Sequence, residues 1–385
     1  MSHAWVYRSS YVTSDEPNSN QLINNYGSTV QMHMQIAKLY GPEDIRVTDE
    51  EKPPLEPGTI RIDVAYTGVC GSDVHEYKIG PVPIRAEDSN HNIPEQEWDE
   101  YLPKNMGHEI TGTVVDVADN VEDIDVGNQV ALNILLSCGE CRYCQEGKPQ
   151  LCTAYDGTAV GSPGFAEDIV VPAVAGIPIP ENVPLRHAAL TEPLSVSVHA
   201  VRRSEMRLGD DIAVFGAGPI GLGIVDAAVA AGANRIFVSE PREARRKIAS
   251  DLGADLVVDP REDHPTSRFR EETNGGVDVA FEAAGISETF TQSMRSTKYG
   301  GTVVVVSVFE DDASIHPNDI MQAERTVKGS FGYVDEFPTT LQMMSDGRLN
   351  PEKYVTGEVP LDDVDDAFQR LLEPESDDVK ILVKP

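Results

Sequence analysis

The sequence has little positive charge. It carries 31 Lys and Arg against 64 Asp and Glu, which gives a formal net charge of −33 and an isoelectric point near 4.5. The acidic residues are spread along the chain, and such a surface repels phosphate backbones, so nucleic-acid binding is excluded as a working hypothesis. The imbalance favours a halophilic protein, because in concentrated salt the Debye length falls to about 3 Å and self-repulsion is screened.

The sequence also lacks a secretory signal and an apolar run that could cross a membrane. Residues 1–33 contain no basic segment followed by an apolar one, and their Ser, Asn and Gln content predicts disorder. The one candidate span, Ile212–Ala233, contains Asp226, several glycines and a proline, which excludes a bilayer helix. We therefore expect a cytoplasmic protein with no membrane partner.

Cysteine is scarce, yet all five cysteines suit zinc. Four of them form C-x2-C-x2-C-x7-C, a spacing that supplies a tetrahedral cage for a structural zinc: Cys138, Cys141, Cys144 and Cys152. Without secretion, thiols in a reducing compartment are expected to bind metal rather than to form disulfides. Nucleic-acid-binding zinc ribbons use similar ligands, but the charge of −33 argues against that alternative.

A second, open zinc site is predicted around Cys70 in GVCGSDVH and His108 in GHE, which makes two zinc ions per subunit. Glu109 and Glu192 are the candidates for the third ligand. Because adjacent strand residues point to opposite sides, His108 and Glu109 can both bind only if the backbone turns between them. This argument favours Glu192 as the ligand and Glu109 as a residue that supports the ligands.

Two side chains in the segment that follows Cys70 could carry the proton of a zinc-bound alcohol. Ser72 lies close enough in sequence for its hydroxyl to reach the substrate, and His75 could pass the proton to solvent. The alternative for His75 is an ordinary histidine on the face of a helix.

The pattern of the chain changes near Leu194. Residues 34–192 are rich in short alternating runs, interrupted by an acidic, Pro-containing stretch, Gly80–Asn105, that is predicted to be a loop. Beyond Leu194 strands alternate with helices, which predicts a doubly wound parallel sheet. The predicted strands in these two parts are Thr59–Tyr66, Thr111–Val117, Gln129–Leu132, Phe165–Val171, Asp211–Phe215, Arg235–Ser239, Val277–Glu282 and Thr302–Val308.

A dinucleotide-binding motif follows the first strand of the second part. In Gly216-Ala-Gly218-Pro219-Ile220-Gly221, the first glycine makes the tight turn and the second lets backbone amides approach a pyrophosphate. Glu240 ends the next strand and can accept the ribose hydroxyls while repelling a 2′-phosphate, which favours NAD over NADP. Three arginines follow, at positions 242, 245 and 246. Their pattern is typical of a solvent-exposed helix face, but they could also pair with a 2′-phosphate, so NADP remains an alternative cofactor.

Taken together, these motifs resemble the zinc-dependent medium-chain dehydrogenase family of alcohol dehydrogenases. GVCGSDVH, GHEITGTV, the four cysteines, the EP dipeptide and VFGAGPIG occur in the family's order. HEYKIGPVPI, GGVDVAFEAAG, IHPNDIMQAERTVKGSFGY and VKILVKP are similar to its 2,3-butanediol dehydrogenase branch.

The resemblance implies a GroES-like catalytic domain over residues 34–192, a Rossmann domain over 193–330, and a C-terminal segment, 331–385, that completes the catalytic domain. It implies zinc ligation by Cys70, His108 and one of the two glutamates, and an adenosine pocket at Glu240 and Arg245. It also implies homodimers or homotetramers.

The expected activity is NAD-dependent oxidation of a secondary alcohol, a vicinal diol such as 2,3-butanediol, to its ketone. Sugar, polyol and L-threonine 3-dehydrogenases share most of the motifs and are the alternatives within the class. A dinucleotide-binding protein without turnover is the alternative outside it.

Overall fold

The computed structural model describes residues 21–23, 29–31, 33–82, 93–154, 163–373 and 376–385. Its strands are β1 Gln21–Ile23, β2 Thr29–Gln31, β3 His33–Gly41, β4 Asp44–Glu51, β5 Thr59–Gly68, β6 Lys104–Asn105, β7 Glu109–Val117, β8 Gln129–Leu132, β9 Asp168–Pro172, β10 Gly176–Pro178, β11 Asp211–Phe215, β12 Arg235–Ser239, β13 Leu256–Val258, β14 Val277–Glu282, β15 Thr297–Val305, β16 Thr326–Gly329, β17 Val355–Pro360 and β18 Lys380–Lys384. Its α-helices are α1 Gly71–Ile79, α2 Arg142–Gln145, α3 Leu185–Ala188, α4 Thr191–Ser204, α5 Pro219–Ala230, α6 Glu243–Leu252, α7 Pro265–Glu272, α8 Ser287–Ser296, α9 Asn318–Met321, α10 Glu336–Ser345 and α11 Val364–Leu372.

The catalytic domain is built on a seven-stranded sheet with the order β10-β8-β7-β5-β18-β17, to which β9 adds by pairing with β5. Strand β5 alternates because one of its faces is buried: Ile60, Ile62 and Val64 point into the core. The last strand, β18, is antiparallel to β5 and places Leu382 opposite Gly68. The end of the chain therefore completes a sheet that begins more than 300 residues earlier.

The cofactor domain holds a six-stranded parallel sheet with the order β13-β12-β11-β14-β15-β16. Numbered from β11, this is the order 3-2-1-4-5-6 of a doubly wound dinucleotide-binding fold. Its central strands are mostly buried on both faces, which explains the continuous apolar runs at residues 212–215 of β11 and 279–281 of β14. The predicted fold class is confirmed, and β11, β12 and β14 have the predicted bounds.

Helix α4 packs between the two domains. Eleven of its 14 residues are buried, and it contacts α5 of the cofactor domain, α10, and β7 of the catalytic domain. Its first turn carries Glu192. The sequence analysis placed a change from the β-rich part to the alternating part here but did not predict a helix. Buried Ser, Thr and His residues along α4 interrupt the 3.6-residue spacing of apolar residues that would indicate one.

Within residues 1–33, which are predicted to be disordered, the structure describes three short pieces of strand. Gln21–Ile23 pairs with Thr29–Gln31 as an antiparallel ladder, and His33 begins β3. The segment is rich in polar residues, but it also contains β-branched residues, which favour strands: Ile23, Thr29 and Val30. Residues 1–20 lie outside the described residues.

The stretch Gly80–Asn105, predicted to be a loop, also contains regular structure. Residues Glu95–Glu100 form a 3₁₀ helix and β6 pairs with β3, while residues 83–92 are outside the described part. The Trp98 indole lies against Gly80, where a Cβ would come within 2.7 Å of the ring. Among the described residues, the helices are too short or too polar for any of them to cross a membrane.

Candidate active site

The four cysteines of residues 138–152, here called the four-cysteine lobe, converge on one point. All four sulfurs lie within 4.8 Å of one another. The separations of neighbouring sulfurs are 3.9 Å for Cys138–Cys144, 3.5 Å for Cys141–Cys144 and 3.5 Å for Cys152–Cys138. A tetrahedral zinc with Zn–S bonds of about 2.3 Å would separate its sulfurs by about 3.8 Å, so the lobe fits that cation.

Local backbone groups prepare the lobe to hold thiolates. The N–H of Cys141 donates to the Cys138 sulfur, and the N–H of Cys138 donates to the Cys152 sulfur. Backbone donors at Cys144 and Thr153 are the main cause that lowers the pKa of Cys141, while burial and the hydrogen bond with Cys141 raise the pKa of Cys144. Thiolates are the form that binds metal, so this hydrogen bonding favours ligation.

A second group of ligands consists of Cys70, His108 and Glu109, here called the Cys70 cluster. One ligand atom from each residue lies within 4.8 Å of the others. Cys70 is the N-cap of α1, and Glu109 is the first residue of β7 and is fully buried. Sulfur, imidazole nitrogen and carboxylate oxygen form a three-ligand set that suits a zinc ion with one open position.

Ligand atoms of His108 and Glu109 lie close together at the start of β7, directly after a turn at Gly107. Gly107 has a φ of 87°, and His108 lies outside the strand that Glu109 begins. The alternation argument used for the sequence assumes that both residues belong to one strand, whereas β7 begins at Glu109 and leaves His108 outside it. Space for Glu109 comes from Gly68 opposite it, where a Cβ would lie 2.0 Å from Oε2.

Asp73 supports two of the ligands and was missed by the sequence analysis. Its Oδ2 accepts from the Cys70 N–H at 3.0 Å, and its Oδ1 is 3.3 Å from Nδ1 of His108. Burial alone would raise the pKa of Asp73, but the neighbouring His108 lowers it overall. The signal was available, because an acidic residue three positions after a helix N-cap is a capping-box pattern. Carboxylates that orient metal-binding histidines in this way hold the ring in place.

Two further charged groups face the Cys70 cluster. Lys380 of β18 donates to Glu109 Oε1 at 2.6 Å and to the carbonyl of Val69 at 2.8 Å, while the buried Glu109 Oε2 has no hydrogen-bond partner among the described residues. Glu192 is also buried. Desolvation, reinforced by the charge of Glu109, raises the pKa of Glu192 to about 7. Carboxylates crowded in this way favour a bound cation.

Ser72 and His75 lie one turn apart on α1, immediately after Cys70. Positions i and i+3 share a helix face, so both side chains are on one side of α1. Ser72 is exposed, and Nδ1 of His75 is 3.2 Å from Oε1 of Glu310, a cofactor-domain residue that the sequence analysis did not single out.

The glycine motif adopts the conformation expected of a pyrophosphate loop. Gly216 has a φ of 95°, and a Cβ on Gly221 would lie 1.9 Å from the Gly216 carbonyl oxygen, so neither tolerates a side chain. Of the residues that the structure describes, the Arg245 guanidinium alone comes near the Cβ position of Gly218, at 3.9 Å. Helix α5 begins at Pro219, which leaves the amides of its first turn available for a phosphate.

Glu240 lies at the end of β12 beside this loop. Its Oε2 accepts from the Ala217 N–H at 2.7 Å, and its Oε1 accepts from the Arg242 N–H at 2.9 Å. Arg245 donates to the carbonyl of Asp378, while its Nε and Nη1 of Arg242 are buried without a hydrogen-bond partner in the described part of the chain. Arg246 is engaged with Asp259.

Two family models match the chain. One, an alcohol dehydrogenase GroES-like domain, matches residues 56–181, and the other, a zinc-binding dehydrogenase, matches residues 219–346. The (R,R)-butanediol dehydrogenase of Bacillus subtilis strain 168 is 39% identical over 354 residues, covering 91% of this chain and 100% of that protein. Sorbitol dehydrogenase of the same strain is 29% identical over 361 residues, covering 93% of this chain and 99% of that protein.

Solved structures agree with these relatives. The crystal structure of 2R,3R-butanediol dehydrogenase from Bacillus subtilis has a TM-score of 0.81 and 38% identity, covering 91% of this chain and 99% of that one. A zinc-binding dehydrogenase from Sinorhizobium meliloti 1021, bound to NADP, has a TM-score of 0.81 and 31% identity, covering 92% and 100%. The chain therefore belongs to the zinc-binding alcohol dehydrogenase family and is an oxidoreductase that acts on CH–OH groups.

Proposed function

We propose that this enzyme oxidises a vicinal diol of the 2,3-butanediol type to the hydroxyketone and reduces the hydroxyketone in reverse, with NAD as the cofactor. The observation that carries the proposal is the Cys70 cluster, whose three ligand atoms lie within 4.8 Å of one another next to the exposed Ser72 of the same helix. The 39% identity to a butanediol dehydrogenase over nearly the whole chain supports the substrate class.

We propose that each subunit holds two zinc ions. The four-cysteine lobe would hold one, with a structural role. Cys70, His108 and Glu109 would hold the other, and the unpartnered Oε2 of Glu109 is the oxygen available to it. Glu192 is the alternative ligand. Its buried carboxylate has no hydrogen-bond or ion-pair partner among the described residues, and its pKa is raised to about 7.

When bound, zinc would supply the Lewis acidity that polarises the alcohol oxygen, and nicotinamide would be the hydride acceptor. The side chains of this enzyme would then handle the proton. Ser72 accepts the proton that the alcohol loses and passes its own to His75, which releases it to water. Asp73 keeps the His108 ring in the orientation that ligation needs.

Glu240 supports NAD as the preferred cofactor, because a buried carboxylate beside the glycine loop repels a 2′-phosphate. Arg242 Nη1 and Arg245 Nε have no hydrogen-bond partner among the described residues and could pair with a 2′-phosphate. The enzyme would therefore also bind NADP, at lower affinity than NAD. The relative bound to NADP supports this tolerance.

A homodimer or homotetramer is supported by the edge of the cofactor sheet. Strand β16 ends the sheet order and is mostly exposed. Apolar side chains are exposed on it at Val327, on the neighbouring β15 at Tyr299 and on α9 at Met321. Sheet edges that expose apolar side chains are normally covered, and we propose that a second subunit covers this one. The five thiols proposed as zinc ligands further support a cytoplasmic location, where they stay reduced.

The function is tested by assaying NADH formation with 2,3-butanediol stereoisomers, sorbitol, L-threonine and simple secondary alcohols. We expect the largest kcat/KM with a butanediol isomer. Sorbitol as the best substrate would replace the proposal with the polyol alternative, which the sorbitol dehydrogenase relative favours. Absence of turnover with every substrate would indicate a non-catalytic dinucleotide-binding protein.

The ligand proposal is tested with Glu109→Gln and Glu192→Gln, a pair of isosteric changes that each remove one charge from the site. Zinc content after dialysis separates the two roles. We expect the larger zinc loss in Glu109→Gln. The opposite order would assign the third ligand to Glu192.

A further inference from the structure

A contact between the two domains involves a residue of the proposed proton path. His75 lies on α1 of the catalytic domain, and Glu310 lies in the segment between β15 and α9 of the cofactor domain. The Nδ1 of His75 is 3.2 Å from Glu310 Oε1, and Nζ of Lys78 is 3.7 Å from Glu310 Oε2. One carboxylate from the cofactor domain therefore contacts two side chains of α1.

The chemistry of this contact fixes where the imidazole hydrogen lies. An ionised carboxylate is an acceptor only, so a hydrogen bond with Nδ1 requires the hydrogen to be on Nδ1. The neutral ring then carries its lone pair on Nε2, and that nitrogen can take up a proton. In many enzymes a carboxylate holds a histidine in one tautomer and one orientation. Replacing that carboxylate allows the other tautomer to form and lowers turnover.

The charges around His75 single out Glu310. The segment 310–312 is acidic throughout, with Asp311 and Asp312 following Glu310, and an acidic run is by default a solvated loop. Among the contacts of the described residues, only Glu310 of these three reaches α1. His75 is the less exposed partner, with 25% of its side chain accessible against 58% for Glu310.

We propose that Glu310 is a positioning residue for His75, and that the proton path is complete only when the cofactor domain brings Glu310 against α1. This inference rests on the proposed function. In the oxidation direction Ser72 passes its proton to Nε2 of His75 as it accepts the alcohol proton. The ring then holds two protons, its positive charge is balanced by Glu310, and the Nε2 proton leaves to water. Glu310 gains no proton.

The first test reads the tautomer directly, without turnover. Nitrogen NMR of histidine-labelled, zinc-loaded protein resolves the two ring nitrogens, and His75→Gln identifies the His75 signals among the nine histidines. We expect the Nδ1–H tautomer in the wild type and a shift towards Nε2–H in Glu310→Ala. A wild-type ring in the Nε2–H form, or a ring that Glu310→Ala leaves unchanged, would overturn the proposal.

The second test is a double-mutant cycle on kcat. Glu310→Ala should lower kcat by about five- to twentyfold, a fraction of what a general base contributes, with little change in KM. In a His75→Ala background the same change should cost nothing more, because Glu310 acts through His75. Losses that multiply, or no loss in the single variant, would overturn the proposal. Asp311→Asn, which removes a neighbouring charge that does not contact α1, is the matched control and should stay near wild type.

The two proposals fail differently. A wild type that turns over none of the alcohols refutes the proposed function, and the NMR measurement still decides the Glu310–His75 contact. An active wild type whose His75→Ala variant keeps full kcat retains the dehydrogenase function but overturns the role of Glu310.

Discussion

The four-cysteine lobe and the Cys70 cluster are built in opposite ways. The lobe takes all its ligands from residues 138–152, and its geometry comes from short turns and backbone N–H donors. The Cys70 cluster draws on a helix N-cap, a strand start and, through Lys380, the last strand of the chain. A local site can be folded by its own segment, whereas a dispersed site depends on the register of a whole sheet. The two should therefore respond differently to mutation.

The largest effect is expected from His108→Ala in the Cys70 cluster. Loss of the metal's Lewis acidity should lower kcat/KM by at least about a thousandfold. Zinc content should fall by one ion per subunit, while NADH binding persists because the glycine loop is in the other domain. Metal analysis measures the zinc content, and fluorescence titration measures NADH binding. The control is His33→Ala, which removes an exposed histidine that pairs with Asp49.

The next effect should come from Asp73→Asn. This change keeps the shape of the side chain but removes the charge that orients His108, and orienting partners are worth about 10- to 100-fold in metal affinity. We expect zinc to dissociate from the Cys70 cluster at lower chelator concentrations, with the lobe unaffected. Asp49→Asn controls for the loss of one negative charge. Equal chelator sensitivity of Asp73→Asn and wild type would contradict the role of Asp73.

A different response is expected from Cys144→Ser in the lobe. Structural zinc sites contribute to folding stability, so the melting temperature should fall, by at least about 2 °C, and one zinc should be lost. Because the lobe contains none of the proposed catalytic residues, kcat per folded subunit should stay within about threefold of wild type. A Cys144→Ser protein that keeps two zinc ions and wild-type stability would break the comparison.

Glu240→Ser should leave both metal sites intact and change only the cofactor. It removes the ribose acceptor and the repulsion of a 2′-phosphate together, so the ratio of kcat/KM for NAD over NADP should fall, by about tenfold or more. Binding of 2′,5′-ADP compared with 5′-AMP provides a readout independent of turnover. A wild type that already prefers NADP would contradict the assignment of Glu240.

The smallest effect on either site should come from salt, which acts on the surface charge. At 0.01 M ionic strength the Debye length is about 30 Å, so the charges of a chain at −33 repel one another and destabilise the compact state. The melting temperature should rise from dilute to molar KCl and then level off, with zinc content constant. An uncharged osmolyte at the same water activity should help less. A flat or falling melting temperature would leave the acidity without a halophilic explanation.

Several features could be read from the sequence because they are local. Three features each lie within a short segment: the glycine motif on a strand–helix junction, the bounds of β11, β12 and β14, and the spacing of the four cysteines. The family resemblance rests on several such short motifs. Apolar strands and glycine turns are fixed by near neighbours, so their pattern survives in one dimension.

Only the tertiary structure decided how the Cys70 cluster is assembled. His108 and Glu109 follow the turn at Gly107 with their ligand atoms close to Cys70, Gly68 leaves room for the Glu109 carboxylate, and Lys380 reaches it from the far end of the chain. The contact of Glu310 with His75 likewise joins residues 235 positions apart. Sequence spacing carries no information about pairing between distant strands, so the sequence determined which groups could bind zinc and a dinucleotide, while sheet register and domain contact decided which of those groups meet.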